Sequence, residues 1–528
     1  MGGRTRAWGV GVKPVVGIAR APVQVWEKSD VEVRRDQSSL RFIMPLAFPE
    51  LKGQGYRFEQ RAEQLALSGR WQLLGGEKHG LLAHVRIHFN SVRYHSSHVP
   101  GRCEGPGESA INPALAFGYI FTDAGLSELP LPGLGFSFRV PGRPNVHADI
   151  TGVQIGIFRL GVGFVSLEIK PRSGALPDWL DALHYLRFYR SRGERLQSNE
   201  SEADVASLRI ENFLGPVLAA VTLDGERSPF ADKYDGTGRP QGLRIKELYT
   251  RGELLTYVTL FADGVPEDSQ RHLLYTVVNR YRSASQATPA EGDDDQFWCL
   301  PYQEGQQFLN SIEGSAFVAF DSGQTQFDLD TLPSHLRTTY FTLFLLALLQ
   351  RFALDQLSEA VALSTGRVLT GSERGHARGE LMRITDLDSR LLDFTGRCYF
   401  VQVSQTAHHH GYYTHLREVN EIEGRYREVT EEIHALRAHA ASRVGVEQER
   451  TSLRVGAALM VITCVLLPLQ VIESLFSAKL AELPGIRILS PGWSAVTAGI
   501  VLLLALAAAL LILNGGRRKR RRGDESTP

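Results

Sequence analysis

Residues 455–472 read VGAALMVITCVLLPLQVI, and residues 493–513 read WSAVTAGIVLLLALAAALLIL. Neither run holds a charge. A helix rises about 1.5 Å per residue, so about 20 apolar residues cross a hydrocarbon layer of about 30 Å. Arg454 stands at the entrance of the first run and Glu473 at its exit. Trp493 opens the second, and Arg517, Arg518, Lys519, Arg520, Arg521 and Arg522 follow it. Basic clusters stay on the cytoplasmic side of a membrane. The pattern therefore predicts a hairpin of two transmembrane helices, 453–473 and 493–514. An external loop over 474–492 joins them, and a basic cytoplasmic tail, 515–528, ends the chain. With two spans the N-terminal part is also cytoplasmic, which predicts a multi-pass protein of the cell inner membrane. The competing reading is a pair of buried core helices, against which the adjoining basic cluster argues. That cluster can also bind anionic headgroups of the bilayer, at about 1 kcal/mol per basic residue.

Upstream, Tyr412, His415, Val419, Ile422, Tyr426, Val429, Ile433, Leu436 and Ala440 recur at alternating spacings of three and four, with Glu and Arg between them. This is a heptad seam, the mark of a helix packed along its length. No Pro interrupts it before Pro468. Sixty residues of helix would be about 90 Å long. Gly424 and Gly445 are the expected bending points, at about 1 kcal/mol each against Ala. Residues 333–452 form the expected helical stalk. A third apolar run, Tyr340–Leu349, is bracketed by Arg337 and Arg351 and is too short to span, so it is expected as a buried helix.

The rest of the chain alternates strand and helix patterns. A Gly- and Arg-rich leader, 1–40, is expected to be poorly ordered, and it lacks the apolar core of a secretory signal. An N-terminal α/β domain is placed at 41–225 and its second part at 241–330. LLAHVRIHF, residues 81–89, alternates like a strand, with His84 and His88 on one face about 13 Å apart. Residues 152–170 read as two strands broken at Gly161–Gly163, followed by a helix from Leu176 opened by Pro-Asp-Trp. A strand at 253–263, a helix at 267–283 and a strand at 314–321 follow, while 130–147, 225–242 and 283–295 read as loops. The predicted fold class is an α+β (α/β) cytoplasmic domain followed by long stalk helices and a C-terminal two-helix transmembrane hairpin.

This order resembles the CorA family of divalent-cation transporters over residues 412–520. The likeness is sharpest in LLPLQVIESLFSAK, residues 466–479, which keeps Pro468, Val471, Ile472 and the Leu475–Phe476 pair. Ser474 replaces the family's first glycine, and Ser477-Ala478-Lys479 stands where the family has Gly-Met-Asn. The resemblance implies a homo-oligomer whose first spans line an axis and whose cytoplasmic domain gates a pore for inorganic ions. In the family the Asn ring holds a hydrated cation. A ring of Lys479 would repel cations and favour anions, whereas Mg²⁺ takes oxygen ligands, so Mg²⁺ selectivity does not carry over. Glu473 could offset the lysine as a salt-bridge partner or as an acidic ring. Thr463, Gln470, Ser474 and Ser477, spaced 7, 4 and 3 apart, share one helical face. They suit either a polar pore lining or hydrogen bonds between helices.

A second resemblance covers the whole chain. It is similar to proteins of bacterial conflict systems in which a large cytoplasmic sensor-like domain carries a CorA-like tail without Gly-Met-Asn. The residues concerned are 157–192 and 340–358. That likeness implies a caspase-like protease or a TPR protein as partner, and spans that open or disrupt the membrane on a trigger.

Other constellations carry less. The chain of 528 residues holds 58 basic and 58 acidic side chains. From Arg517 onward there are six basic and two acidic residues, so the body before the apolar runs is mildly acidic. Such a balance argues against a nucleic-acid partner. Cys103, Cys299, Cys398 and Cys464 form no close pair and read as free thiols. His408-His409-His410 with His415 reads as a solvated helix start, His84, His88, His95 and His98 are a weak metal candidate because His84 and His88 stand too far apart on a strand to share one ion, and Asp293–Asp295 reads as a solvated charge run. Asp386 and Asp388 are expected on a helix surface. GTGRPQG, residues 236–242, follows no apolar strand, so no nucleotide loop is read there. No catalytic motif, cofactor or metal site is assigned.

Overall fold

The strand Ser39–Ala47 is buried on both faces and lies inside a mixed sheet, with layers of helix on either side. The computed structural model describes residues 31–51, 55–73, 81–89, 116–123, 135–189, 196–198, 210–231, 242–250, 252–283, 299–321, 325–370 and 377–477. The strands are β1 (Glu32–Val33), β2 (Ser39–Ala47), β3 (Trp71–Leu73), β4 (Gly118–Asp123), β5 (Gly135–Phe138), β6 (Val146–Phe158), β7 (Val162–Pro171), β8 (Leu196–Ser198), β9 (Glu226–Arg227), β10 (Leu243–Arg244), β11 (Lys246–Glu247), β12 (Leu255–Asp263), β13 (Cys299–Gln303), β14 (Gln306–Ser311) and β15 (Gly314–Phe320). Among the described residues the main sheet has 13 strands and runs β13-β14-β15-β12-β2-β7-β6-β4-β3 along its path. The β12–β15 pair is parallel, with α5 (Glu267–Val278) between the two strands in sequence. The pairs β2–β7, β2–β12 and β6–β7 are antiparallel.

Side chains alternate across this sheet, as strand geometry requires. Phe42, Leu167, Ile155, Val258 and Val318 belong to one apolar core. The same core takes Leu65 from α1 (Phe58–Leu67), Trp179 from α3 (Leu176–Tyr185), Leu214 from α4 (Ile210–Val221) and Leu273 from α5. The other face carries Arg41, Glu168, Tyr257, Phe308 and Phe317. Arg41 lies opposite Glu168 in the register, pairs with it at 3.0 Å, and sets its guanidinium 4.2 Å from the centre of the Phe341 ring. Phe341 opens α7 (Phe341–Thr370), which follows α6 (Leu332–His335) and two short π-helical turns. Tyr257 packs on Phe341 and Phe344, and its hydroxyl donates to the Leu336 carbonyl at 2.7 Å. Residues 341–349 are buried throughout, so the third apolar run is a core helix, as its length predicts.

Among the described residues, the stretch Phe327–Gly366 passes for a membrane span by length and composition, but 78% of its most apolar window is buried inside the protein.

Several expectations are corrected. Residues 81–89 are not a strand but contain α2 (Ala83–His88). Leu82, Val85 and Phe89 also fit a 3–4 spacing, and docking decides between the two periods. The Leu82 N–H donates to the Val403 carbonyl, and His84, His88 and Phe89 pack on Phe400. Residues 135–138, expected in a loop, form β5 against β6. Residues 31–40, expected in the leader, hold β1 and the start of β2. The turn at Gly161 between β6 and β7 stands as read, as do β12, β15 and the opening of α3, whose early Pro needs no N–H partner.

The helices that follow are α8 (Ala377–Arg397), α9 (Ala407–Val419) and α10 (Ile422–Ser477). The chain divides into two units, one of Met1–Leu363 with Asp386–Ile433 and one of Ser364–Thr385 with His434–Pro528. The first holds the sheet. Of the second, the described part is helical, and most of it is α10 from His434 onward. The predicted stalk, 333–452, is thus divided: residues 333–363 and 386–433 belong to the sheet unit, and only 364–385 and 434–452 to the other. α10 runs to Ser477, four residues into the expected external loop; the rest of that loop, the second apolar run and the tail lie outside the described residues.

Candidate functional site

The sequence reading points to α10, and two places on it stand out: its root and its charge-free end. At the root the predicted continuous helix is interrupted. Glu421 has φ 54°, a left-handed conformation that is costly for a residue with a Cβ. The bend therefore falls at Asn420–Glu421 and not at the two glycines, which lie within α10. Asn420 is buried, and both polar atoms of its amide have a partner. Its Nδ2 donates to the Leu416 carbonyl at 2.8 Å, and its Oδ1 accepts from Arg351 at 3.3 Å. Arg425 Nε donates to the Asn420 carbonyl at 3.1 Å, and its Nη1 pairs with Asp355 at 2.5 Å. Arg351 and Asp355 lie one turn apart on α7, so one core helix grips both sides of the bend.

A second grip comes from the end of α8. Tyr399 stacks on Tyr426 at 4.4 Å between centroids, and the Tyr426 hydroxyl lies 3.2 Å from Thr395 Oγ1. Deeper in, Gln350 is fully buried and donates to the Cys398 carbonyl at 2.6 Å and to the Tyr413 hydroxyl at 2.8 Å. Burial pushes the Cys398 thiol well above its usual range. On the sheet side the Tyr412 hydroxyl meets Ser315 at 2.8 Å, and Asn310 meets His415 at 2.8 Å. The Gln350 contacts and the Tyr412–Ser315 contact are buried, and leaving one of them unmade there costs about 1–3 kcal/mol.

The seam continues from the root. Ile422, Val429, Ile433, Leu436 and Ala440 are buried, with Tyr426 half-buried between them. Beyond Ala440 the pattern ends. Leu453 is 67% exposed, Leu459 58%, Met460 68% and Leu467 55%, in a stretch with no charge after Arg454.

Thr463 and Gln470 lie in this stretch and are exposed. The Thr463 hydroxyl donates to the Leu459 carbonyl at 2.9 Å, back along its own helix. Glu473, Ser474 and Ser477 continue the helix, which puts Thr463, Gln470, Ser474 and Ser477 within about 60° of arc at 100° per residue. The side chains of 471–477, together with Lys479 and Arg517 to Arg522, lie outside the described residues. The sequence reading missed Asn420, Glu421 and Asp355. Only Arg351 had been noted, as a charge bracketing an apolar run.

The histidines are also placed. The His408–His410 run does open a helix, α9 from Ala407, but that start is not solvated throughout. His409 is buried, 4.9 Å from the Tyr340 ring and 6.3 Å from His335. Burial, with His335 and His408 adding to it, lowers its pKa to about 4. His84 and His88 sit one helical turn apart, so the strand separation of about 13 Å does not apply; both pack against Phe400. Asp386 is exposed on α8 and pairs with Arg390 at 2.6 Å. Cys299, Cys398 and Cys464 are free thiols. Among the described residues no three of His, Cys, Asp and Glu are placed to hold a metal ion together. His95, His98, Cys103 and Asp293–Asp295 lie outside them.

No protein-family model matches the chain, and no curated protein matches it in sequence. Among solved structures, that of the full-length CmaX protein is similar over 48% of this chain and 88% of its own length, at 13% identity and a TM-score of 0.19. A TM-score of that size carries no argument about fold or activity.

Proposed function

We propose that this chain is an integral protein of the inner membrane with CorA-like architecture. It is a homo-oligomer whose pore is lined by α10 from Thr463 onward and gated by the cytoplasmic sheet unit. Both termini lie in the cytoplasm, and the second span is residues 493–514. The observation that carries this reading is the state of α10 after Ala440. One unbroken helix leads from a root gripped by α7 and α8 to a charge-free end whose described apolar side chains are largely exposed. Soluble proteins rarely leave so large a contiguous apolar surface to water. A bilayer accepts it at no backbone cost, because the helix already satisfies its own N–H and C=O groups.

Ions are the transported class, and Lys479 at the pore mouth favours anions or a non-selective opening over Mg²⁺. The test is ion flux into liposomes by the wild type and by Lys479→Asn. The variant is expected to gain cation flux relative to anion flux. A wild type that carries no ion under any condition sinks the pore reading and leaves a membrane-anchored scaffold.

A second reading is favoured by Ser477-Ala478-Lys479 standing in place of Gly-Met-Asn. In it the chain is the membrane effector of a conflict system, with a caspase-like protease or TPR protein as partner. Growth rescue of a Mg²⁺-starved strain by this chain would exclude it.

A further inference from the structure

A cleft of about 490 Å³ opens in the sheet unit beside α8. α8 lines it with Asp386, Ser389, Arg390 and Asp393, whose spacing places them on one helical face. Gly55–Glu59, leading into α1, form a second wall, and the Arg159–Leu160 turn between β6 and β7 forms a third. That turn holds Tyr56 in place. Gly161 has φ 77°, and a Cβ there would meet the Tyr56 ring at 2.5 Å, so only glycine leaves the ring where it is.

Three arginines line this cleft. Arg57 is held at 2.6 Å by Glu226, whose side chain is 0% exposed, and Asp393 is held by Arg397 at 3.0 Å. This leaves Arg390 and Arg159, on different walls, as the groups a ligand would meet. Arg390 donates to the Tyr56 hydroxyl at 2.8 Å and pairs with Glu50 at 2.5 Å and Asp386 at 2.6 Å. Arg159 donates to the Ala116 carbonyl at 2.8 Å and pairs with Glu59 at 3.0 Å. The partners are unequally buried. The arginine side chains are 19% and 22% exposed, whereas Glu50, Asp386 and Glu59 are 46%, 57% and 54% exposed.

This asymmetry decides the sign of a ligand's charge. A cationic ligand that took Glu50, Asp386 or Glu59 would leave the largely covered Arg390 or Arg159 without its counter-charge, which is costly. An anionic ligand displaces carboxylates that return to water, from pairs that solvent already screens to little net worth. Guanidinium binds phosphoryl oxygens through two parallel hydrogen bonds, which a single carboxylate on a solvated rim does not match. The volume lies in the range of small-molecule sites and exceeds what a lone phosphate fills.

We propose that this cleft binds a phosphorylated small molecule whose phosphoryl oxygens replace Glu50, Asp386 and Glu59 on Arg390 and Arg159. The same helix that carries Arg390 carries Thr395, and Tyr399 follows it, so the ligand sits on the element that clasps Tyr426 at the root of α10. The binding step stands independently of any membrane role; its coupling to a pore rests on the function proposed above.

The test is calorimetric titration of the full chain in neutral detergent with inorganic phosphate, pyrophosphate and ATP. Saturable binding of ATP or pyrophosphate is expected. Arg390→Gln and Arg159→Gln should each weaken it at least tenfold, and Arg427→Gln, on the exposed face of α10, should leave it unchanged. Glu50→Gln should tighten binding severalfold, because it removes a competitor, an effect that a purely structural ion pair would not produce. Should Arg390→Gln fail to fold by circular dichroism, Glu50→Gln and Arg159→Gln decide. The proposal is overturned if no probe binds the folded wild type, if Arg390→Gln binds as the wild type does, if Glu50→Gln binds more weakly, or if phosphate alone binds as tightly as ATP. Binding without any flux would leave this site standing and remove the pore.

Discussion

The first turns of α7 and the run that opens at Val455 in α10 are both charge-free and aliphatic, yet they meet opposite surroundings. Phe344 is 1% exposed and packs on Tyr257 of the sheet, whereas Leu459 is 58% exposed. Hydropathy alone does not separate the two. Arg337 and Arg351 bracket the first run within a span too short to cross a bilayer, and partners from the sheet cover it. The second run is longer, and within the described residues nothing of comparable size covers its side chains. An apolar helix is thus read by what stands at its ends and by what the fold can lay against it.

The contrast can be broken most sharply by truncation. Phe344→Ala should cost about 3–5 kcal/mol in denaturant unfolding of the sheet unit, the usual loss for a buried aromatic. Leu459→Ala should leave that transition within about 0.5 kcal/mol, as surface substitutions do. Equal costs would mean that α10 is an ordinary core helix. Charge sharpens the same comparison from the other side. Leu459→Arg should disfavour membrane insertion by about 2.5–3.5 kcal/mol and lower the fraction of chain that survives an alkaline wash of membranes. An unchanged fraction would speak against the span.

The docking of α9 beside α7 gives a pH test. His409 has a folded-state pKa of about 4, below the usual 6.5, because burial disfavours its charged form. Between these values the unfolded chain binds more protons, so stability should fall as pH drops from about 6.5 to 4 and be level above that window. His409→Gln should flatten this slope in thermal melts followed across the window; a slope as steep as that of the wild type would place its origin elsewhere. The smallest effect belongs to the root of α10. A double-mutant cycle of Asp355→Ala and Arg425→Ala should return a coupling of about 0.5 kcal/mol, since both side chains are about one-third exposed and solvent screens the pair. A coupling near zero would leave the bend to Asn420 alone.

The seam was legible because its period is local. From Ile422 to Ala440 a 3–4 repeat needs only neighbouring residues to be seen, and burial falls on Ile422, Val429, Ile433 and Leu436 as that repeat requires. Upstream of the break at Asn420–Glu421 it falls on Tyr413, Leu416 and Asn420 rather than on His415 and Val419. The strands at 253–263 and 314–321 were legible for the same reason, as was the buried helix after Tyr340. LLAHVRIHF was misread because nine residues satisfy a period of 2 and a spacing of 3–4 alike. The bend at Asn420–Glu421 carried no signal, since Gly424 and Gly445 offered the more obvious weak points. At the bend the Asn420 amide oxygen and carbonyl accept from Arg351 and Arg425, one of them 69 residues away in the sequence.

The amino-acid sequence by itself determined the periods, the lengths and the signs of the charges: a long helix, a core helix, the alternating strands and two apolar runs with a basic end. These depend on backbone geometry that repeats every few residues. Only the tertiary structure decided which face is covered and which charges meet. Glu50 and Arg390 are 340 positions apart, Arg41 and Phe341 meet across the sheet, and Tyr426 finds Tyr399 only once the loop after α8 has turned back. No local pattern contains such pairs, because burial and ion pairing depend on the partner as much as on the residue.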